Sequence, residues 1–184
     1  MFKIVAVTNR KLCEGDFLKQ IEKVASENVA AIILREKDLQ EEEYGKLAES
    51  VIAICDRYSV TCILHTYLKT AEELGQSAIH LPLPVLRENK ENLKVFQTIG
   101  VSIHSVEEAM EAQELGAAYV TAGHVFATDC KKGLLPRGTA FLEEVVKSVK
   151  IPVFAIGGVN ADNIEEIKRT GAAGCCIMSG FMKK

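Results

Sequence analysis

Two glycine-containing pairs near the end of the chain, Gly157-Gly158 and Ser179-Gly180, each stand directly after a short apolar run. Glycine lets a ligand approach the backbone closely, and free N–H groups at the start of a following helix attract anions. Such pairs can also do no more than form tight turns. Because the two pairs follow consecutive apolar runs, we predict that their backbone binds a phosphate group together.

Charged residues follow an earlier apolar run, in the segment Arg35-Glu36-Lys37-Asp38. A solvated charge run is the ordinary explanation of such a segment. If the run before it is a buried strand, Arg35 and Lys37 can both point toward the end of that strand. An arginine there offers two parallel N–H donors to an anion and a lysine offers a point charge. We therefore predict that Arg35 and Lys37 bind an anionic ligand.

His124 opens the longest loop of the chain, which runs from 123 to about 138. An isolated histidine more often has a structural role, but an imidazole exchanges protons near neutral pH and suits general acid/base chemistry. The same loop supplies Thr128 and Lys131, which could hold an anion beside the imidazole. Lys131 can equally be a solvated loop residue. We rank His124 first as the acid/base on the strength of this loop.

Three further histidines are weaker candidates for the acid/base. His65 and His104 also stand at the ends of apolar runs, and they remain alternatives to the histidine of the long loop. His80 stands inside a run, directly before Leu81, and could face a layer of helices.

Short β-branched apolar runs recur along the chain, and each is followed by a segment with helical periodicity. The runs contain few alternating polar residues, which is typical of a parallel sheet buried on both faces. The predicted strands span 2–8, 30–34, 60–64, 78–81, 98–103, 119–122, 152–156 and 174–178. The predicted helices span 17–24, 39–58, about 70–74, about 84–95, 105–115, 141–149 and 161–170.

Eight alternating steps predict a single (β/α)₈ barrel domain over residues 1–184, because doubly wound sheets more often stop at five or six parallel strands. In such barrels the functional groups lie at the C-terminal ends of the strands, where the candidate residues stand. The chain of 184 residues is short for this fold, which usually needs about 200 or more. Only residues 181–184 follow the last pair, so we expect the last helix to be short or missing.

The composition is that of an ordinary globular protein, with 48% apolar residues, 26% charged residues and a net charge of −3. Without a dense Lys/Arg block we expect no nucleic-acid partner. No apolar run reaches the roughly 18–20 residues that span a bilayer, so we expect no membrane partner and a cytoplasmic location. The six cysteines form no CxxC pair and no ligand spacing with histidine, so neither a zinc site nor a disulfide framework is predicted.

Five stretches of the chain resemble the thiamine phosphate synthase/TenI family, in register over nearly the whole length: 34–39, 100–105, 123–133, 151–158 and 178–180. Each motif is weak alone, but in this order and at these spacings they are specific. The resemblance implies a (β/α)₈ barrel. It also implies that Ser102, Thr128 and Lys131 contact the ligand, together with the basic pair Arg35 and Lys37.

Departures from the synthase pattern distinguish two branches of this family. The resemblance implies that synthases have an Asn-Asp pair after strand three and a further Asp after strand four. In synthases, these carboxylates hold the magnesium of a pyrophosphate substrate. Here these places read His65-Thr66 and Pro82-Leu83-Pro84. A hard dication needs oxygen ligands, so we expect no metal. The stretch 123–133 instead resembles the TenI branch, the thiazole tautomerases.

This resemblance implies an isomerase that converts a 2-carboxy-thiazole phosphate from its ylidene form into its aromatic tautomer. His124 would move the proton, the two glycine pairs would hold the phosphate, and no cofactor would be needed. The expected partners are a small phosphorylated thiazole and a second copy of the chain in a homodimer. Two alternatives remain open: a non-catalytic thiamine-phosphate-binding or regulatory protein, and a thiamine phosphate synthase, which the missing carboxylates disfavour.

Overall fold

Eight parallel strands pair in chain order and close into a barrel in the computed structural model, which describes residues 1–128 and 133–183. The barrel closes at β1, where Val5 pairs with Ala31 of β2 on one side and with Cys176 of β8 on the other. The strands are β1 (Lys3–Val7), β2 (Ala31–Leu34), β3 (Thr61–His65), β4 (Ala78–Pro82), β5 (Thr98–Ile103), β6 (Tyr119–Gly123), β7 (Val153–Ile156) and β8 (Gly174–Ile177). The predicted (β/α)₈ barrel is confirmed.

A helix follows every strand. The α-helices are α1 (Phe17–Ser26), α2 (Glu41–Arg57), α3 (Leu68–Glu73), α4 (Leu83–Asn89), α5 (Val106–Glu114), α6 (Gly138–Ser148), α7 (Ile164–Arg169) and α8 (Ser179–Met182). The last helix is short, as expected from the sequence, and two 3-10 turns add Arg10–Leu12 and Lys90–Val95. Across the described residues, no helix is both long enough and apolar enough to cross a membrane.

The ends of α5 are determined by the residues that its sequence supplies there. The hydroxyl of Ser105 accepts a hydrogen bond of 3.1 Å from the backbone N–H of Glu108, which satisfies one of the free donors of the first turn. The carboxylate of Glu108 reaches back to the N–H of His104. Gly116, with φ +93°, follows the helix in the left-handed conformation that glycine adopts without strain. This helix therefore begins and ends where the sequence predicts.

Strand alternation divides the apolar residues between two cores. One core lies between the barrel and its helices, and the smaller one fills the barrel with side chains such as Val5, Ile33 and Phe154. The sequence allows His80 to face the layer of helices, but the structure places it on the other face of its strand. Its neighbours Ile79 and Leu81 pack into the outer core, so His80 lies between them on the inward face of β4.

Candidate functional site

A cavity of about 550 Å³ opens at the C-terminal ends of the strands, a size typical of small-molecule sites. Its apolar walls include Val7, Ile156 and Met178. The polar and charged side chains that line it come from several strands and the loops after them: Arg35, Lys37, His65, Ser102, His104, Glu108, Thr121, His124, Thr128 and Ser179. Residues at the C-terminal ends of the strands, where such barrels carry their functional groups, therefore line this cavity.

The predicted site residues lie around this cavity with two exceptions. The residues that line it are Arg35, Lys37, Ser102, His124, Thr128, Gly157, Gly158 and Ser179. Gly180 lies in α8, beside the lining residue Ser179, but does not itself line the cavity. Lys131 lies outside the described residues.

Residues 35–38 after β2 alternate between the cavity and the outside. Arg35 and Lys37 line the cavity, whereas Glu36 faces away from it and is only 2% exposed. The carboxylate of Glu36 accepts a 2.7 Å hydrogen bond from the hydroxyl of Thr8 and bonds of 3.0 and 3.1 Å from the backbone N–H of Arg10. A solvated charge run does not describe this segment, because its central carboxylate is buried and bonded to the end of β1.

Arg10 completes this support from outside the cavity. Its guanidinium donates to Glu36 at 3.2 Å and to both carboxylate oxygens of Asp38 at 2.6 and 2.8 Å. These bonds hold the pKa of the Asp38 carboxyl well below its usual range and raise the pKa of Arg10. Both acidic residues of the segment thus have a cationic partner away from the cavity. Arg35 and Lys37 are the two cationic residues of the segment that line the cavity, and we call them its cationic wall.

Gly157 and Gly158 bring two backbone segments together at the opposite wall. Both have positive φ, +97° and +69°. A Cβ on Gly157 would lie 2.3 Å from the Cβ of His124, and one on Gly158 would lie 2.4 Å from the carbonyl oxygen of Ala127. The amide of Phe126 donates to the carbonyl of Gly157 at 3.0 Å. The glycines therefore have a packing role besides the predicted phosphate contact, because they let the loop after β6 lie against the end of β7.

His124 is buried, at 6% exposure, and its ring lies in the cavity wall beside Gly157. Its Nε2 is 3.4 Å from the carbonyl oxygen of Leu134, at the edge of hydrogen-bonding distance. The imidazole is thus positioned by the loop after β6 and is accessible to a molecule in the cavity.

A network of neutral polar groups forms the floor of the cavity, and sequence reasoning missed most of it. His80 bonds Tyr119 through Nδ1 at 3.0 Å and Ser102 through Nε2 at 2.8 Å. His65 stacks on His80 with ring centroids 5.5 Å apart and bonds Thr66 through Nδ1 at 2.6 Å. Burial, followed by the neighbouring His80 and then by the positive charges of Arg35 and Lys37, lowers the pKa of His65 to about 2. Burial, followed by the same two charges, lowers the pKa of His80 to about 3. Both imidazoles are therefore neutral near pH 7.

The signal that would have found this network is the two-residue period of a strand. Thr121 lies two residues before Gly123, and His80 lies two residues before Pro82, so each shares the inward face with the residue at the end of its strand. Strand ends alone do not include these two residues, which lie one level deeper in the barrel.

The ends of β3 and β4 do not fit a magnesium ion. His65 is buried, neutral and bonded to Thr66, and the positions after β4 carry Leu83 and Pro84. These groups are poor ligands for a hard dication, which prefers carboxylate and other oxygen donors. Among the described lining residues the single carboxylate is Glu108, and it already accepts the N–H of His104. Within the described residues, no group of three or more His, Cys, Asp or Glu is placed to hold a metal.

Comparison with known proteins agrees with this arrangement of strands. The family model described as thiamine monophosphate synthase matches residues 4–181. The chain belongs to the thiamine phosphate synthase/TenI family. Family membership confirms the resemblance seen in the five sequence stretches, and it connects the protein to thiamine biosynthesis.

Individual relatives carry the name of a synthase. The chain is 37% identical over 186 residues to the thiamine-phosphate synthase of Fusobacterium nucleatum, covering 99% of this chain and 90% of the relative. It is 32% identical to the putative thiamine-phosphate synthase 2 of Aquifex aeolicus, covering 98% of both. The thiamine phosphate pyrophosphorylase structure from Pyrococcus furiosus superposes with a TM-score of 0.87 at 30% identity, covering 100% of this chain and 88% of that one.

These relatives correct the predicted enzyme class. The sequence predicts an isomerase, the thiazole tautomerase, whereas relatives at 30–37% identity over nearly the whole chain are named as synthases, which are transferases. The isomerase prediction is therefore wrong. The likeness of the stretch 123–133 to TenI proteins stays a sequence-based prediction.

Proposed function

We propose that the protein is a thiamine phosphate synthase, which couples a pyrimidine pyrophosphate to a thiazole phosphate and releases pyrophosphate. The observation that carries the proposal is that two separate groups of residues, each suited by its chemistry to an anion, line one cavity. Arg35 and Lys37 form one wall, and Gly157, Gly158 and Ser179 form the other. A reaction between a diphosphate ester and a phosphate ester needs two such places. The names of the relatives support the same reaction class.

The β2 wall is suited to the pyrophosphate group. An arginine can bind two oxygens of a diphosphate in parallel, and a lysine adds a second positive charge. Negative charge grows on the pyrophosphate as its bond to the pyrimidine breaks, so fixed cations at Arg35 and Lys37 stabilise the transition state more than the bound substrate. The support from Glu36 and Arg10 keeps this wall in place before the substrate arrives.

The opposite wall is suited to the phosphate of the thiazole. Gly157 and Gly158 expose backbone at the cavity surface, and Ser179 adds a hydroxyl. A single phosphate needs fewer charges than a diphosphate, and backbone amides with one hydroxyl can supply its hydrogen bonds. His124 and Thr128 lie in the same loop region and would contact the thiazole between the two walls.

A second function is favoured by the ends of β3 and β4. The resemblance implies that synthases hold magnesium there, and the residues His65, Thr66 and Pro82 to Pro84 offer no carboxylate. A protein that only binds thiamine phosphate, for transport or regulation, needs the two anion-binding walls and no metal. This alternative shares the ligand of the first proposal and differs from it in the chemical step.

One experiment separates the two functions. Purified full-length protein is mixed with the pyrimidine pyrophosphate and the thiazole phosphate, and thiamine phosphate and released pyrophosphate are measured together with calorimetric binding of thiamine phosphate. Equal amounts of both products identify a synthase. Binding without products identifies a binding protein. Neither products nor binding contradicts both functions.

A further inference from the structure

Three side chains form a continuous hydrogen-bonded chain across the floor of the cavity. Tyr119 Oη lies 3.0 Å from His80 Nδ1, and His80 Nε2 lies 2.8 Å from Ser102 Oγ. His80 is 2% exposed, whereas Ser102 lines the cavity. The hydrogen-bonded chain therefore leads from the barrel interior to the surface of the cavity.

Gly100 makes this chain possible. It lies between His80 and Tyr119 in the register of β4, β5 and β6. A Cβ on Gly100 would be 2.1 Å from Tyr119 Cζ and 2.3 Å from Tyr119 Oη. The tyrosine ring thus fills the space that a side chain on β5 would take, and its hydroxyl reaches the histidine two strands away.

Two arrangements of the protons satisfy these distances. In the first, Tyr119 donates to Nδ1 of His80, and the Nε2–H of His80 donates to Ser102, so the Ser102 hydrogen is left to point into the cavity. In the second, every bond is reversed, and the hydroxyl hydrogen of Tyr119 then has no acceptor among the residues that the structure describes.

Burial and the neighbouring hydroxyl favour the first arrangement. Tyr119 is half-buried and packs against the core inside the barrel. A hydroxyl hydrogen without an acceptor there is costly, whereas a hydroxyl hydrogen at the cavity wall can bond water or a ligand. Burial raises the pKa of Tyr119 well above its usual value, so the phenol keeps the proton that it donates. Thr121 Oγ1 lies 3.4 Å from Ser102 Oγ and serves as a second donor to that oxygen. Ser102 then accepts from the protein side and donates only into the cavity.

We propose that Tyr119 and His80 are positioning residues that hold Ser102 as a hydrogen-bond donor to the ligand. The ligand atom bound at Ser102 is then an acceptor, such as a ring nitrogen or a phosphate oxygen, and a ligand with a donor at that place is rejected. The identity of this ligand rests on the proposed function, which brings thiamine phosphate and its precursors into the cavity.

The first test reads the histidine tautomer in the ligand-free protein by nitrogen-15 NMR, with His80→Gln used to assign the signals. We expect the wild-type His80 to carry its hydrogen on Nε2. We expect Tyr119→Phe to lower that population, because Nδ1 loses its donor, whereas Tyr58→Phe, which removes an exposed hydroxyl on the outside of the barrel, leaves it unchanged. A wild-type His80 with its hydrogen on Nδ1 overturns the proposal, and this result does not require the Tyr119→Phe variant to fold.

The second test is a double-mutant cycle on the affinity for thiamine phosphate, measured by calorimetry. Loss of one neutral hydrogen bond should weaken binding about 3- to 10-fold in Ser102→Ala, and the effect of Tyr119→Phe should be smaller, about 2- to 5-fold. Because Tyr119 acts through Ser102, the double variant should bind no more weakly than Ser102→Ala. Effects that multiply in the double variant indicate a merely structural role for Tyr119 and overturn the proposal.

The two tests separate this proposal from the proposed function. Wild-type protein that binds no thiamine phosphate and makes no product contradicts the function and the identity of the ligand, while the nitrogen spectra still decide how Ser102 is held. Wild-type protein that binds thiamine phosphate with the His80 hydrogen on Nδ1 leaves the function standing and overturns the positioning role of Tyr119 and His80.

Discussion

The wall of the cavity at the end of β2 carries two permanent cations, whereas its floor, from β3 to β6, carries neutral groups bonded to one another. Glu36 lies between Arg35 and Lys37 in the chain, and its buried carboxylate is bonded to Thr8 and Arg10, which holds this segment in place. On the floor, His80 and Ser102 are hydrogen-bonded to each other. Within the described residues, this network contains no carboxylate that lines the cavity. The cavity thus presents charge at one wall and direction-dependent hydrogen bonds at its floor.

This difference has a physical origin and a functional consequence. The positive charges of Arg35 and Lys37 add to burial in lowering the pKa of His65 and His80, so the cationic wall helps to keep the floor neutral. A cationic wall attracts any anion, whatever the orientation of its oxygens. A neutral donor such as Ser102 distinguishes acceptors from donors. We therefore expect affinity to depend mainly on the wall and discrimination mainly on the floor.

The largest effect should come from removing the support of the cationic wall. Glu36→Ala leaves the Thr8 hydroxyl and the Arg10 N–H without their buried acceptor and should lower the free energy of unfolding by about 2–4 kcal/mol in urea titrations. Glu36→Gln keeps one acceptor oxygen and should cost less. Glu165→Ala, on the surface of α7, is the control. If Glu36→Ala were as stable as this control, the wall would not depend on the buried carboxylate.

The next effect is on affinity at the wall itself. Arg35→Gln removes a charge-assisted contact and should weaken binding of thiamine phosphate or pyrophosphate about 10- to 100-fold in calorimetry. Arg57→Gln, which removes a cation paired with Glu22 outside the barrel, is the matched control. A change of less than twofold in Arg35→Gln would show that the floor, and not the wall, supplies the affinity.

The two histidines of the floor should make the free energy of unfolding depend on pH. The pKa of His65 and that of His80 lie at about 2 and about 3 in the folded protein, below the value near 6.5 of an unfolded chain. The unfolded state therefore binds more protons, and stability is lost as the pH falls below about 6.5, by up to about 1.4 kcal/mol per pH unit for each histidine.

Denaturant titrations between pH 6.5 and 5 measure this slope while most carboxylates stay ionised. His80→Asn should flatten the slope, whereas His104→Asn, which replaces an exposed histidine, should leave it as in the wild type. A slope that His80→Asn does not change would mean that the floor is protonated in the folded state.

The smallest effect is expected from magnesium. Because the ends of β3 and β4 offer it no carboxylate, millimolar Mg²⁺ should change the affinity for thiamine phosphate, and any rate of pyrophosphate release, by less than about twofold relative to EDTA. A tenfold or larger dependence would contradict the conclusion that the ends of β3 and β4 do not fit a magnesium ion.

Most of the cavity wall could be predicted from the sequence because strand ends are local features. A charged or glycine-containing pair after an apolar run marks the cavity end of a barrel strand, and Arg35, Lys37 and Gly157 were found in this way. The floor escaped because His80 and Thr121 stand inside apolar runs, where a polar residue can face either layer. The direction of such a polar side chain is known only when the core into which its neighbours pack is known, as for Ile79 beside His80.

By itself, the sequence determined the eight βα steps and placed Arg35 and Lys37 at the end of the second strand, because periodicity is a property of neighbouring residues. Tertiary structure alone decided that Glu36 is bonded to residues 26 and 28 positions away, and that Tyr119 crosses over Gly100 to reach His80. These contacts join residues from different strands, and they exist only after the closed barrel has brought the strands into register.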